Sequence, residues 1–421
     1  MAKKGKIEKP KREVTKRQLS RWQQQKRRER IILSAGVFII VVVLGIIGGG
    51  WYFSQHKPLQ QTVIRVNDAE FNMDYYVKML KLYGGDEPGY YMYGLADEVV
   101  TVIERNELIR QEAMELGFSV SDEEVDKELK SFDPPISKDY RDVVRTEMLI
   151  SKLRDEYFEQ RVSQFAKQRH IMAMLLESVS QAAEVRARLE SGEDFGELAG
   201  ELSLETLTKA NNGDLGWHSE EVLAELPITP ILGEYGFSAD IGVLSHPIYD
   251  ETVIKGVGYW LIEVLEREQD PEEAHVQAML LGSEEWAWKV KNELEAGGNF
   301  ATLAKELSQH YATKEAGGEF DWLTPGTMSP AFDEFVFNCE VGTLSEPIRD
   351  DTVATTKGYW LLKVLDEDDN REISDEDRDL LLGMALNEWV TSLWDDPENE
   401  IDDSYLDDEK KAWAINRAIE G

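Results

Sequence analysis

The sequence is poor in the residues from which most catalytic and metal centres are built. It has one cysteine, Cys339, which excludes an internal disulfide, and its six scattered histidines lack the spacing of metal ligands. A glycine-rich phosphate loop and a G-x-S-x-G motif are also missing. We therefore expect no metal, no nucleotide or other cofactor and no serine-hydrolase chemistry.

Positive charge is scarce except at the N-terminus. The chain has 46 Lys and Arg against 82 Asp and Glu, a net charge of −36, yet residues 1–30 hold 13 Lys and Arg against 3 Glu. The rest of the chain is therefore more acidic than its net charge indicates. Because such a body repels phosphate backbones, we expect no nucleic-acid partner.

Charge is absent altogether from residues 31–53, IILSAGVFIIVVVLGIIGGGWYF. At a helical rise of 1.5 Å per residue this run is about 34 Å long, enough to cross a bilayer. The basic tail before it places the N-terminus in the cytoplasm. These features predict a single-pass protein of the plasma membrane with the bulk of the chain outside the cytoplasm. A cleaved signal peptide is the alternative, although no A-x-A site follows the apolar run.

The stretch from Ala274 to Leu365 repeats an earlier part of the chain. At an offset of 105 residues the pairs include His275 with His170, Phe300 with Phe195, Gly318 with Gly213 and Trp322 with Trp217; at an offset of 100 they include Gly342 with Gly242, Pro347 with Pro247 and Trp360 with Trp260. The repeated module is about 95 residues long, the size of a small domain.

Each repeat has the same predicted local structure. In the second, the apolar run from His275 to Leu281 predicts a strand, and Phe300, Leu303, Ala304 and Leu307 have the spacing of an amphipathic helix. A second apolar run, 359–365, predicts a returning strand. We therefore expect an α+β fold in which helices pack on a small antiparallel sheet.

The order of motifs in the second repeat resembles the parvulin-type peptidyl-prolyl isomerases. The motifs are His275, F-x-x-L-A-x-x-x-S at 300–308, G-G-x-x-x-W at 317–322, M-x-x-x-F at 328–332, G-x-x-x-x-P at 342–347 and G-Y-W at 358–360. The resemblance implies catalysis of rotation about X-Pro bonds, which are otherwise slow to isomerise. Such a site needs an apolar slot for the proline ring and polar groups that favour the twisted amide.

The resemblance also implies roles for individual residues of the second repeat. His275 matches the first family histidine, His310 stands where the family has Cys or Asp, and Thr355 matches the hydroxyl; these three are the predicted catalytic residues. The predicted substrate-binding residues are Phe320, Met328, Phe332 and Trp360. Trp360 occupies the place of the second family histidine, and for this reason activity stays open.

The first repeat departs further from the family pattern. It keeps His170 and an acidic residue, Glu205, but Trp260 again replaces the second histidine, and the segment 228–232 offers only aliphatic side chains where the slot should be. We predict a degenerate site here, made of His170, Glu205, Leu215 and Trp260.

The flanking segments resemble those of SurA-type and PrsA-type foldases. Residues 106–129 are similar to their N-terminal chaperone domain, and Ser121 with Glu124 forms a capping-box pattern within it. The resemblance further implies that the helix predicted at 407–419 packs back onto the N-terminal domain. The predicted divisions are a basic tail (1–30), a transmembrane helix (31–53), a helical chaperone-like domain (57–166), two parvulin-like domains (167–268 and 272–368) and C-terminal helices (372–421).

The leading functional hypothesis is a membrane-anchored extracytoplasmic isomerase and foldase that acts on X-Pro segments of unfolded or newly exported polypeptides. The alternative is a holdase chaperone that has lost catalysis and binds unfolded chains through the same domains. A structural scaffold of a membrane complex is a third possibility. Sequence does not fix the oligomeric state. The first two hypotheses differ in the site: an open cleft over Met328 and Phe332 favours the enzyme, and a cleft filled by tryptophan favours the holdase.

Overall fold

The computed structural model describes residues 38, 40–85, 89–270 and 272–419. Residues 1–37, which include the predicted basic tail and the start of the predicted transmembrane helix, lie outside the described part. Within that part, no helix combines the length and the apolar character that crossing a membrane requires. The chain divides into two compact units, one formed by Met1–Glu156 with Asn387–Gly421 and the other by Tyr157–Leu386.

The helices and strands follow one another in three groups: before the repeats, within them and after them. Before the repeats come β1 (Thr62–Val66), β2 (Ala69–Asn72), α1 (Met73–Gly84), α2 (Gly89–Glu115), α3 (Asp122–Glu128) and α4 (Arg141–Lys152). The first repeat contains β3 (Phe165–Leu176), α5 (Val179–Glu190), α6 (Phe195–Leu202), α7 (Thr206–Ala210), β4 (Asp214–His218), α8 (Glu220–Glu225), α9 (Ile231–Ser238), β5 (Ile248–Lys255) and β6 (Gly258–Gln269). The second contains β7 (Glu272–Leu281), α10 (Glu284–Glu295), α11 (Phe300–Leu307), α12 (Tyr311–Lys314), β8 (Glu319–Leu323), α13 (Pro330–Asn338), β9 (Ile348–Asp350) and β10 (Thr355–Glu372). The chain ends with α14 (Asp375–Asp395), β11 (Ile401–Asp402) and α15 (Asp408–Ile419).

The first unit joins the two ends of the chain around one core. Its sheet has the order β11-β1-β2, so a C-terminal strand pairs with an N-terminal one. Ile415 of α15 and Leu393 of α14 are buried in the same cluster as Tyr76 and Ile103. The expected return of the C-terminal helix onto the N-terminal domain is therefore confirmed. The predicted capping box is also present, with Ser121 and Glu124 bonding reciprocally at the start of α3.

The second unit contains two four-stranded antiparallel sheets, as the α+β prediction requires. Sheet 1 has the order β4-β3-β10-β5, and sheet 2 has the order β8-β7-β6-β9. The closing strands are therefore exchanged: β10 of the second repeat lies in sheet 1, where Leu361 faces Met174. In the same way β6 of the first repeat lies in sheet 2, where Leu261 faces Met279. A boundary between residues 268 and 272 thus does not separate the two sheets.

A short connection accounts for part of this arrangement. Only residues 270 and 271 join β6 to β7, and the ladder between these strands closes with Gln269 opposite Glu272. Strands linked by two residues normally form a hairpin with each other. The hairpin therefore holds β6 beside the second repeat's first strand.

Each sheet is buried on both faces. In sheet 2, Ala274, Val276, Ala278 and Leu280 of β7 share a cluster with Phe332 and Val336 of α13. Met279 and Leu281 of the same strand share a second cluster with residues of α10 and α11. Side chains that alternate along β7 therefore point to opposite faces, as the pleat of a strand dictates.

The G-G-x-x-x-W motif has a steric basis. Gly318 has a φ of +84°, and a Cβ atom placed there would lie 2.6 Å from the carbonyl oxygen of Ala278. The carbonyl of Gly318 accepts a hydrogen bond of 2.8 Å from the backbone N–H of Ala278. Only glycine allows this close approach of the loop to β7.

Candidate functional site

The predicted proline slot of the second repeat is an aromatic cluster on the face of sheet 2 that packs against α13. The ring of Trp260 lies 5.0 Å from Phe332 and 6.2 Å from Phe320, both in edge-on contact. His310 stacks on Phe320 at 5.0 Å and lies 5.3 Å from Trp260. Strands β6 and β8, helix α13 and the start of α12 thus each place one ring in the cluster.

A buried carboxylate lies against this cluster. The indole N–H of Trp260 donates a hydrogen bond of 3.0 Å to Asp350 Oδ2, and the Ser329 hydroxyl donates to the same oxygen at 2.5 Å. The backbone N–H and the hydroxyl of Thr352 donate to Oδ1 at 2.9 and 2.7 Å. Burial works against the charge, but these hydrogen bonds outweigh it and hold the pKa of Asp350 below its ordinary value. Asp350 is therefore a fully bonded anion that fixes the indole.

The cluster leaves little room for a proline ring. Phe332 is fully buried, Trp260 is 1% exposed and Phe320 is 6% exposed. Met328 is only partly buried and packs at the edge of the cluster. The tryptophan that fills the predicted slot is Trp260, from the first repeat, and not Trp360. Three of the four side chains predicted for the slot, Phe320, Met328 and Phe332, do come together, and the predicted catalytic residue His310 lies with them.

His310 is the one histidine of this cluster. Its Nδ1 lies 2.8 Å from the hydroxyl of Thr313. Burial lowers the pKa of His310, so its imidazole is neutral at pH 7. The ring is thus available as a hydrogen-bond partner and not as a cation.

His275 lies elsewhere. Because side chains alternate along a strand, His275 points away from the face on which Ala274, Val276 and Ala278 meet α13. Its Nε2 is 3.0 Å from Glu319 Oε1, and its ring lies 5.7 Å from that of Trp322. The structure therefore does not bring His275 together with the predicted slot, and its two neighbours in sequence, the apolar Ala274 and Val276, face the slot side instead.

Thr355 and Trp360 both belong to the exchanged strand β10. Thr355 pairs with Lys255 of β5, and its hydroxyl donates to the carbonyl of Val257. Its methyl group packs close to Gly258, beside Leu280 of the core of sheet 2. Trp360 is fully buried in sheet 1 with Ile171 and Leu232. Trp360 is therefore absent from the predicted slot because of strand exchange, and His275 is absent because it lies on the other face of β7.

Sheet 1 contains the equivalent of the tryptophan–aspartate pair. The indole N–H of Trp360 donates a hydrogen bond of 3.0 Å to Asp250 Oδ2, and Thr252 donates to Oδ1 through its backbone N–H and its hydroxyl. Burial of Asp250 is again outweighed by its hydrogen bonds, and its pKa is lowered. Neither aspartate is among the site residues predicted from the sequence. The signal was present, since the pattern D-x-T recurs at 250–252 and 350–352, at the same offset as the surrounding repeat.

The predicted degenerate site of the first repeat is dispersed. Nε2 of His170 lies 2.7 Å from Asp214 Oδ1, and its ring stacks on Trp217 at 5.5 Å. Glu205 caps α7 by accepting from the backbone N–H groups of Leu207 and Thr208 at 2.8 and 2.7 Å. Leu215 packs against the core of sheet 1, whereas Trp260 lies in sheet 2. The pair His170–Asp214 repeats the pair His275–Glu319, and both pairs lie where the first two strands of a repeat meet.

Comparison with known families fits the internal repeat. Residues 170–266 and residues 259–368 each match a family described as the PPIC-type PPIASE domain. Both repeats are PPIC-type domains. The parvulin resemblance inferred from the motifs is thereby confirmed for these two segments, the first and second PPIC-type domains.

Curated relatives extend the likeness beyond the two domains. A chaperone SurA from Hahella chejuensis is 25% identical over 318 residues, which are 72% of this chain and 67% of that protein. A foldase protein PrsA from Geobacillus kaustophilus is 33% identical over 138 residues, 31% of this chain and 47% of that protein. The chain thus spans about half to two thirds of the length of these relatives. The crystal structure of PrsA from Bacillus subtilis matches over 86% of this chain and 93% of its own length, at 13% identity and a TM-score of 0.20, too low to support an argument.

Proposed function

We propose that this protein is a folding chaperone that binds unfolded polypeptide segments and whose PPIC-type domains bind without catalysing prolyl isomerisation. The class is supported by the two PPIC-type domains and by relatives named as chaperone and foldase. The loss of catalysis is supported by one observation: Trp260 and Phe332 are almost completely buried in the place of the proline slot.

The chemistry of isomerisation explains why this burial matters. An isomerase accelerates rotation only if it binds the twisted amide more tightly than the planar one, which requires the proline ring to enter the site. Here the ring of Phe332 already contacts Trp260, and the indole is fixed to Asp350. A proline ring would have to displace packed aromatic side chains, whose burial is worth about 1.5–3 kcal/mol each.

Isomerase activity of the second domain is the second candidate function. It is favoured by His310, a neutral imidazole that stacks on Phe320 at the edge of the same cluster. In this proposal His310 polarises the substrate amide, and Met328 with Phe320 contacts the proline. His275 would then act outside the reacting centre or not at all, since it lies on the other face of β7.

The two candidates are separated by assaying the full chain in detergent with a proline tetrapeptide and with an aggregating unfolded protein. We expect suppressed aggregation without faster cis-to-trans isomerisation. Acceleration that His310→Ala abolishes and His275→Ala preserves would establish the enzyme instead. His275→Ala is a matched control because that histidine lies on the opposite face of the same sheet.

We further propose that residues 31–53 anchor the chain in the plasma membrane and that residues 54–421 lie outside the cytoplasm, where clients would be newly exported polypeptides, including their X-Pro segments. The uncharged run and the basic tail before it support this placement. Before any protease is added, the chain should stay in the membrane fraction after carbonate extraction. Protease added to intact spheroplasts should then degrade the body of the chain. Protection of the body from protease would contradict the topology.

A further inference from the structure

A cleft of about 900 Å³ lies within the unit Tyr157–Leu386. No ring of the aromatic cluster lines it, although Gln309 and Tyr311, which do, flank His310 in sequence. Helix α10 and the segment after α11, both from the second PPIC-type domain, line it together with β5 of the first and the start of β10. The cleft is therefore built from both domains. Its volume is within the range of about 300–1,000 Å³ that binding pockets commonly have.

Large apolar side chains line this cleft and are exposed. Tyr311 is 93% exposed, Ile254 is 68% exposed, Tyr249 is 48% exposed and Trp286 is 46% exposed. Exposed aromatic and aliphatic side chains gathered in one concave surface are typical of a site that covers them with a partner. Folding has left these groups in water although each would be stabilised by burial.

An edge strand borders the cleft. In sheet 1, strand β5 pairs with β10 along one side, and the sheet order gives it no neighbour on the other side among the described strands. Tyr249 and Ile254, which line the cleft, both belong to β5. The backbone of an edge strand can pair with an extended peptide, while nearby pockets hold the peptide's side chains. This geometry fits an extended segment better than a compact ligand.

Charge limits the kind of segment that fits. Glu177, Glu285 and Glu306 line the cleft together with three lysines, and Glu285 is already paired with Lys289 at 2.6 Å. The local charges therefore roughly balance, whereas the chain as a whole has a net charge of −36. A body of this charge attracts basic segments and repels acidic ones.

We infer that this cleft binds an extended segment of an unfolded polypeptide that carries aromatic side chains and a net positive charge. The inference rests on the proposed chaperone function and names the place where that function is performed. Trp286 and Tyr311 contact the aromatic side chains of the segment, and β5 pairs with its backbone. The aromatic cluster around Trp260 takes no part in this binding.

The test compares the full chain with the double variant Trp286→Ala/Tyr311→Ala by fluorescence anisotropy. The probes are two labelled unstructured 12-residue peptides with the same aromatic residues, one of net charge +3 and one of −3. We expect the double variant to bind the basic peptide at least tenfold more weakly, because truncated aromatic anchors commonly cost that much. Trp288→Ala is the control: Trp288 is on the same helix and 39% exposed, but it does not line the cleft, and its loss should change Kd less than twofold.

Each other result decides against one part of the reasoning. If the wild-type chain binds the basic peptide and the double variant binds it equally well, the cleft is not the site, although the chaperone function stands. If the wild-type chain neither binds the peptides nor suppresses aggregation, the proposed function itself fails. Equal affinity for the acidic peptide refutes the charge preference. If the wild-type chain is a dimer and the double variant is a monomer, a second copy of the chain occupies the cleft. If deletion of residues 1–30 increases the affinity for the basic peptide, the chain's own tail occupies it.

Discussion

Trp360→Ala is expected to loosen sheet 1, although residue 360 belongs to the sequence of the second repeat. The side chain is fully buried in the core of sheet 1 with Ile171 and Leu232, and its indole N–H bonds to Asp250 at 3.0 Å. Truncation of a large buried aromatic side chain costs about 3–5 kcal/mol. Because about 1.4 kcal/mol is a factor of ten, amide exchange through opening of this sheet should accelerate by roughly a hundredfold to several thousandfold.

Hydrogen exchange measured by mass spectrometry reports this effect segment by segment. In Trp360→Ala, the peptides covering β3 should exchange faster while those covering β7 stay near the wild-type rate. Trp260→Ala is the matched variant, with the same indole-to-aspartate bond in sheet 2, and should give the reverse pattern. Faster exchange of β7 in Trp360→Ala would refute the strand exchange.

A cross-link tests the same point directly. Lys363 faces Met172 across the ladder between β10 and β3, whereas closure of each repeat on itself would place Glu263 there, since the repeats correspond at an offset of 100 residues. In a Cys339→Ser background, cysteines at 172 and 363 should therefore form a disulfide on mild oxidation, and cysteines at 172 and 263 should not. Directly opposite residues lie within the Cα separation that a disulfide spans.

Three further predictions concern buried titratable groups. Burial, reinforced by the charge of Asp403, raises the pKa of Glu104 to about 7. The folded state then binds more protons than the unfolded state between pH 4.5 and 7, and the free energy of unfolding falls by about 3 kcal/mol as pH rises through that window. Glu104→Gln should remove this loss in thermal melts at pH 8. Burial lowers the pKa of Lys255 to about 8, so the unfolded state binds more protons than the folded state above pH 8. The free energy of unfolding of the wild type should therefore rise between pH 8 and 10.5 relative to that of Lys255→Met. If urea titrations show no such difference, the lowered pKa of Lys255 is contradicted. Burial opposes the charge of His218, but hydrogen bonds to Asp377 and Leu215 raise its pKa. The ion pair between His218 and Asp377 of α14 therefore stabilises the fold at low pH, and this stabilisation is lost as pH rises through the raised pKa. Asp377→Asn should abolish this pH dependence of the free energy of unfolding.

Sequence patterns predicted the repeat, its opening and returning strands and the helix at 300–307, because hydrophobic periodicity acts locally. The strand from His275 to Leu281 and the helix from Phe300 to Leu307 are present as predicted. The direction of His275 follows from the same kind of pattern. Polar Glu273, His275 and Gln277 alternate with Ala274, Val276 and Ala278, which share the cluster packed against α13, so the histidine lies on the other face. The motif resemblance, which placed His275 beside the slot, does not take this alternation into account.

The exchange of strands could not be read from the sequence for a different reason. Strands β6 and β10 share the motif G-Y-W followed by apolar residues, and either could complete either sheet with similar contacts. A choice between two nearly equal pairings is decided by connections and long-range packing, which a pattern of residue types does not encode. For this reason Trp360 was predicted in the site of the second repeat, whereas Trp260 occupies that place.

The two tryptophan–aspartate pairs explain why the exchange preserves both cores. An indole N–H that is removed from water needs a buried acceptor, and each closing strand finds one in the aspartate of the sheet it enters: Asp350 for Trp260, Asp250 for Trp360, both at 3.0 Å. Because the repeats carry the same aspartate, this bond is equally good in the exchanged and unexchanged arrangements and cannot choose between them. The two-residue link at 270–271 can, since it ties β6 to β7 as a hairpin. The tryptophans that stand in place of the family histidine, Trp260 and Trp360, therefore serve packing in both sheets. Trp260→His or Trp360→His would leave an aspartate without its indole partner and a cavity in a closed core.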